Sequence, residues 1–514
     1  MLLILAYLLI ILVFTFYQRN AKKAAVFRVN KKVSWLISGL SLYMFYLSVD
    51  QGQLVAGLIA KYGMSGMWMI WAGWLGTFVV PLAFAPLWQK LDFLTDNQFL
   101  LFRFPGKSGQ FLHGFRAVYV GGLVVAFSIC FHLMGFSRIV EVFFHITSTQ
   151  SILLTGGILV LFSVKNVFDL KLKMDAVHAL LFFSSMAILV YFLLDKSLQW
   201  EIWDRYFVKF PEKRNLFPSS EDQNAWFSFI VFVGIQWWSA YLFDGGGPEM
   251  ARYTAVEGKR NAWLTGLVPI FISAIFGFIM VGHVVVVLGL NMHSSNPELQ
   301  YVQTVFNVVP NALQPIVLLG FFGMFISTAE SLMNWGGSFL TIDIYKGYLN
   351  PEVSGSHLRF YSLMSMVFLS VLATVFALNI SSLEELVKIT FSIASGVAPV
   401  YILRWIWYRI NAWSQLSAML SSAIFTLIYP YFHPYVSWNS FPIEESRVVF
   451  VTLLTTITWL VVTFITPNQS KNVSEKMLKI IGSKRHFIKQ FAFAIFLGIV
   501  LLALIVFVWR LILK

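Results

Sequence analysis

The chain has 514 residues, 58% of them hydrophobic and only 12% charged, with a formal net charge of +13. A mean hydropathy of +0.74 excludes a soluble globular protein and makes this an integral membrane protein. The basic excess does not by itself imply a nucleic-acid partner, because where the charges sit decides what they mean.

About fourteen runs are long enough to cross a hydrocarbon core of roughly 30 Å. They lie near 2–17, 33–60, 66–88, 115–145, 150–167, 175–195, 225–250, 260–290, 311–345, 358–380, 386–409, 412–432, 446–467 and 487–511. The first run has no basic residue before it and no small-residue cleavage site after it, so it is expected to stay as a span. Arg19, Lys22, Lys23, Arg28, Lys31 and Lys32 follow it and should hold that loop in the cytoplasm. Alternating from there, the predicted inside segments carry 26 of the 37 Lys and Arg residues. An even span count then places both termini outside a plasma (cytoplasmic) membrane, with 196–224 as an extracytoplasmic loop. The lone cysteine, Cys130, excludes an internal disulfide and offers no metal cluster.

Two spans are interrupted. The second carries Ser48, Asp50, Gln51, Gly52 and Gln53 at its middle, and the seventh breaks at Asp244-Gly-Gly-Gly-Pro248, where three glycines and a proline cannot sustain a helix. Each break taken alone is equally a helix kink or a re-entrant loop. Each also opens a block of five spans, 33–195 and 225–410, and paired breaks in corresponding positions point to an inverted-repeat secondary transporter with its site near the midplane. On this reading residues 1–32 form a flanking helix and cytoplasmic loop, and 411–514 are C-terminal flanking helices.

The stretch Phe325–Lys346 adds a polar stripe inside an apolar run. Ser327, Glu330, Ser331 and Asn334 follow helical spacing and share one face, beside Thr328. Hydroxyls that bond back to their own helix would explain Ser and Thr here, and a bond to a neighbouring helix would explain Asn334. A carboxylate among them shifts the balance toward an ion or solute path of hard oxygen ligands.

Several stretches resemble the sodium/solute symporters, the family of sodium-coupled galactose, proline and sialate carriers. They are Trp35-Leu-Ile-Ser-Gly-Leu-Ser-Leu42, Ser48-Val-Asp-Gln51, Lys61-Tyr-Gly-Met-Ser-Gly66, Ser327-Thr-Ala-Glu-Ser331 through Thr341-Ile-Asp-Ile-Tyr-Lys346, and Gly396-Val-Ala-Pro399 with Arg404. The resemblance runs from about residue 1 to 465. It implies an all-α fold with the inverted five-helix repeat of the bacterial leucine transporter, plus flanking helices. It further implies a sodium site made by the carbonyls of Met44, Leu47 and Met324 and the hydroxyls of Ser327 and Thr328. A second ion near Asp175 and Ser331 is implied by some members. Glu330 stands where those members have a hydroxyl, which leaves the coupling number open.

For the solute, Asp50 and Gln51 with Ser48 are positioned to bond a polar molecule, or to cap the broken helix. Arg138 sits where the sialate carriers use an arginine for a carboxylate, with Glu141 at i+3 as an alternative partner. Trp237, Trp238 and Tyr241 fall near an aromatic gate of the sugar carriers, or simply pack. Asp244 and Glu249 line or cap the second break, and Asp175 is otherwise a cytoplasmic-end charge beside Lys171 and Lys173.

The expected function is sodium-coupled import of a small polar solute, sugar-like or an organic anion, by alternating access. Its partners are sodium, the solute and the bilayer; no cofactor and no nucleic acid are expected. Proton coupling through Glu330 or Asp175 is the competitor within transport, and a transporter-like membrane sensor is a second alternative. An enzyme is disfavoured. The nine histidines are scattered without the spacing of a helical metal site, and no phosphate loop or nucleophile elbow occurs.

Overall fold

The computed structural model describes residues 33–91, 93–163, 168–197, 200–239, 243–292, 295–353, 355–380, 383–435, 441–468 and 471–513. The predicted first span, its basic cluster and Tyr241 lie outside the described residues. Those described are helical with no strand, and eight helices are long and apolar enough to cross a membrane, beside three shorter apolar ones.

The predicted second span is two short helices. The first, α1 (Trp35–Tyr46), starts where the Ser34 hydroxyl accepts from the Ile37 N–H and stops at Leu47, whose φ −79 and ψ 109 are extended. The chain restarts as α2 (Gln51–Tyr62). Next come α3 (Val125–Phe144), α4 (Ser148–Ser163) and α5 (Phe168–Ser197), which complete the first predicted block.

The segment predicted as a plain outside loop carries a helix, Trp200–Lys209, and a 3-10 turn, Pro211–Arg214. Trp203 stacks on Trp509 with ring centroids 6.2 Å apart, and Tyr206 donates to the Ile59 carbonyl at 3.2 Å. Its aromatic residues bury against the spans, which a reading of charge alone does not detect.

The second block opens with α6 (Gln223–Val231) and, after the glycine run, α7 (Pro248–Ala255). Gly245 and Gly247 take φ of +71 and +60, the left-handed region that residues with a Cβ avoid, and Pro248 then supplies the preset first helical turn. Beyond lie α8 (Gly258–Leu290), α9 (Pro297–Val308), α10 (Gln314–Ser338), α11 (Gly355–Asn379) and α12 (Leu383–Leu403). The flanking helices are α13 (Ala412–Phe432), α14 (Ile443–Ile465) and α15 (Lys484–Ile512).

The polar stripe occupies the most enclosed position in this arrangement. α10 is buried along nearly its whole length, and it packs against α5, α3, α11 and α1. Two close approaches set that geometry. A Cβ on Gly52 would lie 2.3 Å from the Tyr301 ring of α9, and one on Gly135 of α3 would lie 2.7 Å from the Asp50 Cβ. Glycine at both places lets the first break nest against its neighbours.

Candidate ion and solute site

Ending α1 at Tyr46 leaves the carbonyls of its last turn without the amide donors of a following turn. The Thr328 hydroxyl of α10 reaches three of them, at 3.2 Å from the Met44 oxygen, 3.3 Å from that of Phe45 and 3.3 Å from that of Leu47. A hydroxyl has one proton, so it satisfies only one carbonyl at a time. Three carbonyl oxygens crowded on one hydroxyl form a cluster of negative ends that a small hard cation would stabilise.

The other residues expected at this ion are close but differently engaged. Ser327, fully buried, pairs its hydroxyl with His178 Nδ1 of α5 at 2.8 Å. Met324 lies one turn before Thr328 and is 1% exposed. Phe45, which the sequence reading omitted, contributes a carbonyl, and His178 was read there only as one of the scattered histidines.

The three residues expected at a second ion surround positive charge supplied by the protein. Asp175 accepts from Lys171 Nζ at 2.7 Å, from Arg252 Nη2 at 3.4 Å and from the Ser41 hydroxyl. Arg252 Nη2 also donates to Ser331 at 2.8 Å, and the Ser331 hydroxyl bonds back to the Ser327 carbonyl at 2.7 Å. Glu330 is only partly buried and bears electrostatically on Lys171. Lys171 was legible one turn before Asp175; Arg252, from the far side of the second break, was not.

Around the first break, Ser48 donates to Asp50 and lies 3.0 Å from His132 Nδ1 of α3. Asp50 is 2% exposed, and its side chain does not cap α2, so the capping alternative does not hold. Gln51 opens α2 half-buried beside it, while Gln53 donates to the Gly135 carbonyl at 3.0 Å. His132 therefore joins the predicted trio of Ser48, Asp50 and Gln51. A signal for it was absent, because its ring meets the break from a different helix.

Arg138 is paired, but not with Glu141. Its guanidinium meets Glu298 at the start of α9, with both side chains a quarter exposed. The i+3 expectation is corrected by a contact spanning 160 residues of sequence. Beyond this pair lies a cavity of about 380 Å³ whose walls include Lys61, Tyr206, Lys213, Asn291 and Glu298. Lys213 donates to the Ala60 carbonyl there; desolvation lowers its ammonium below the ordinary lysine value, and Glu212 partly offsets that.

Asp244 is buried, 2% exposed. Its carboxylate accepts from Arg404 Nη2 at 2.6 Å and Trp405 Nε1 at 2.7 Å, while Trp88 Nε1 donates to its carbonyl at 2.7 Å. These bonds brace the second break against the end of α12. Trp238 donates to the Ser395 carbonyl at 3.2 Å, and Trp237 packs against Gly76, so both aromatic residues join the helices that flank the breaks.

A model of the sodium:solute symporter family matches residues 250–422, which include α7 from its third residue, Thr328 and most of the second block. Among solved structures, a Na+-coupled sialic acid symporter in a substrate-bound outward-open state is similar with a TM-score of 0.70 at 14% identity, covering 90% of this chain and 98% of that one. A nucleobase-cation-symport-1 family transporter gives a TM-score of 0.48 at 14% identity, over 89% of this chain and 99% of that one. The Eremococcus coleocola manganese transporter gives 0.38 at 12% identity, over 92% and 95%. No curated protein sequence matches the chain. The first likeness establishes the fold as an all-helical transporter fold, and with the apolar helices it makes this a multi-pass membrane protein. The matched family and solved structures are transporters.

Proposed function

We propose that this protein is a sodium-coupled symporter that imports a small polar solute by alternating access across the plasma membrane. The observation that carries this reading is the Thr328 hydroxyl gathered on three carbonyls at the end of α1. An ion there ties α1 to α10, so its arrival and departure bias how one group of helices sits against the other. The matched family and the sialic acid symporter, described as Na+-coupled, support sodium as that ion.

Ser48, Asp50, Gln51 and His132 bind the solute at the first break. Asp50 is a carboxylate and Arg138 is already matched by Glu298, so an uncharged polyol or a zwitterion suits the set better than a free anion. The Arg138–Glu298 pair acts as the latch between this pocket and the outer cavity. Both termini lie outside in this reading, which the charge pattern of the loops supports.

The test is uptake into proteoliposomes of the full chain, with galactose, proline and sialic acid offered under matched sodium or potassium gradients. Uptake of at least one solute is expected with sodium alone, and Ser327→Ala with Thr328→Ala should abolish it while the protein still folds. Equal uptake in the two salts would refute sodium coupling.

A further inference from the structure

Among the described residues, most buried acids in the core are answered by nearby basic or hydrogen-bonding groups. Asp175 has Lys171 and Arg252, Asp244 has Arg404 and Asp96 has Arg116 at 2.6 Å. Asp343 accepts from Thr95 at 2.9 Å and lies 3.3 Å from His113, and Asp50 accepts from Ser48. Glu249, in the first turn of α7, differs. It is 0% exposed, and no basic side chain is hydrogen-bonded to either carboxyl oxygen. The Tyr46 side chain of α1 is the hydroxyl that bears on it.

Arg252 is one turn away but is committed elsewhere. Its nitrogens donate to the Ser41 hydroxyl, the Pro248 carbonyl, Asp175 and Ser331. Among the described residues, Arg252 is the positive group that bears on the carboxyl. Tyr253, on the same helix, shares the Tyr46 hydroxyl with the carboxyl, and α8 meets the Tyr253 hydroxyl through Gly266. Across the glycine turn Asp244 adds negative charge, while Asp96 is held by Arg116 and Trp335. From α10 come Ser331 and Trp335, and from the stretch before the inner loop Trp88 and Gln89; none of these four titrates.

An ionised carboxyl in this position would be desolvated with no hydrogen-bonded base to offset it, and such a group takes up a proton instead. We infer that Glu249 is a proton-carrying carboxyl, neutral in the arrangement described here, and that a proton accompanies sodium and solute through the transport cycle. This rests on the carrier reading above, and it moves proton coupling away from Asp175 and Glu330, which face Lys171. The proton binds as the carboxylate becomes the acid when α7 packs against α1 and α10, and it leaves to water when that packing opens.

Two measurements test this. Infrared spectra of the purified full chain at neutral pH should contain the carbonyl stretch of a buried protonated carboxylic acid, and Glu249→Gln should remove that band entirely. An unchanged band in the variant, or none in the wild type, overturns the assignment, and this arm requires no solute. In proteoliposomes carrying a pH-sensitive dye, sodium-driven uptake of galactose, proline or sialic acid by the wild type should acidify the lumen in step with uptake. Sodium-driven uptake without acidification overturns the co-transported proton and leaves sodium coupling standing. Absence of sodium-driven uptake counts against the carrier reading instead, and the infrared result then decides on Glu249.

Discussion

The two helix breaks begin alike and end differently. Both replace part of a span with residues that cannot hold a helix, and both leave polar backbone deep in the protein. At the first, the carbonyls of Met44, Phe45 and Leu47 converge on one hydroxyl that cannot satisfy them all. At the second, the Asp244 carboxylate and carbonyl are fully engaged by Arg404, Trp405 and Trp88. The lesson is that a broken helix is not itself a binding site. Under-satisfied backbone acceptors make one; at the second break the Asp244 groups are engaged and brace the chain.

The sharpest way to break this comparison is at that brace. Arg404→Ala strands a buried carboxylate and should cost about 3–5 kcal/mol, read as a large fall in the denaturation midpoint, with sodium unable to restore it. A small change would mean that the second break is not braced as described. Gly135→Ala comes next, because its methyl group would meet the Asp50 Cβ at 2.7 Å. Overpacking of this kind costs about 1–3 kcal/mol, and uptake should fall more than stability as Asp50 is displaced.

Thr328→Ala should change stability in the absence of sodium by only about 0.5–1.5 kcal/mol, the worth of one ordinary hydrogen bond, yet it should remove sodium binding. A comparable loss of stability with sodium binding intact would make Thr328 a structural cap instead. The smallest effect is expected at the latch. Arg138→Ala should alter stability by no more than about 1 kcal/mol, since the pair is partly solvated, while weakening or speeding solute entry in uptake kinetics.

Much of the fold was legible because its signals are local. Apolar runs mark the spans, and Asp244-Gly-Gly-Gly-Pro248 and Ser48-Val-Asp-Gln51 mark the breaks, since glycine, proline and polar residues interrupt a helix wherever it packs. Thr328 was legible beside the stripe of Ser327 and Ser331, through the resemblance that implied an ion site there. Partners distant in sequence were not. Arg138 faces Glu298 and not Glu141, and Asp244 faces Arg404, because helix packing decides which charges meet. His132 and His178 were passed over for the same reason: each acquires meaning only from the hydroxyl of another element, Ser48 or Ser327. The helix Trp200–Lys209 was missed inside a segment whose mixed charge resembled a loop.

The most direct test of the ion site is thermal stabilisation of the purified full chain in sodium chloride against potassium chloride at equal ionic strength, for the wild type and Thr328→Ala. A ligand that binds only the folded state raises the melting temperature by mass action. The account requires a sodium-specific rise in the wild type that is lost in Thr328→Ala. An identical rise in both proteins, or none that distinguishes sodium from potassium, would contradict it.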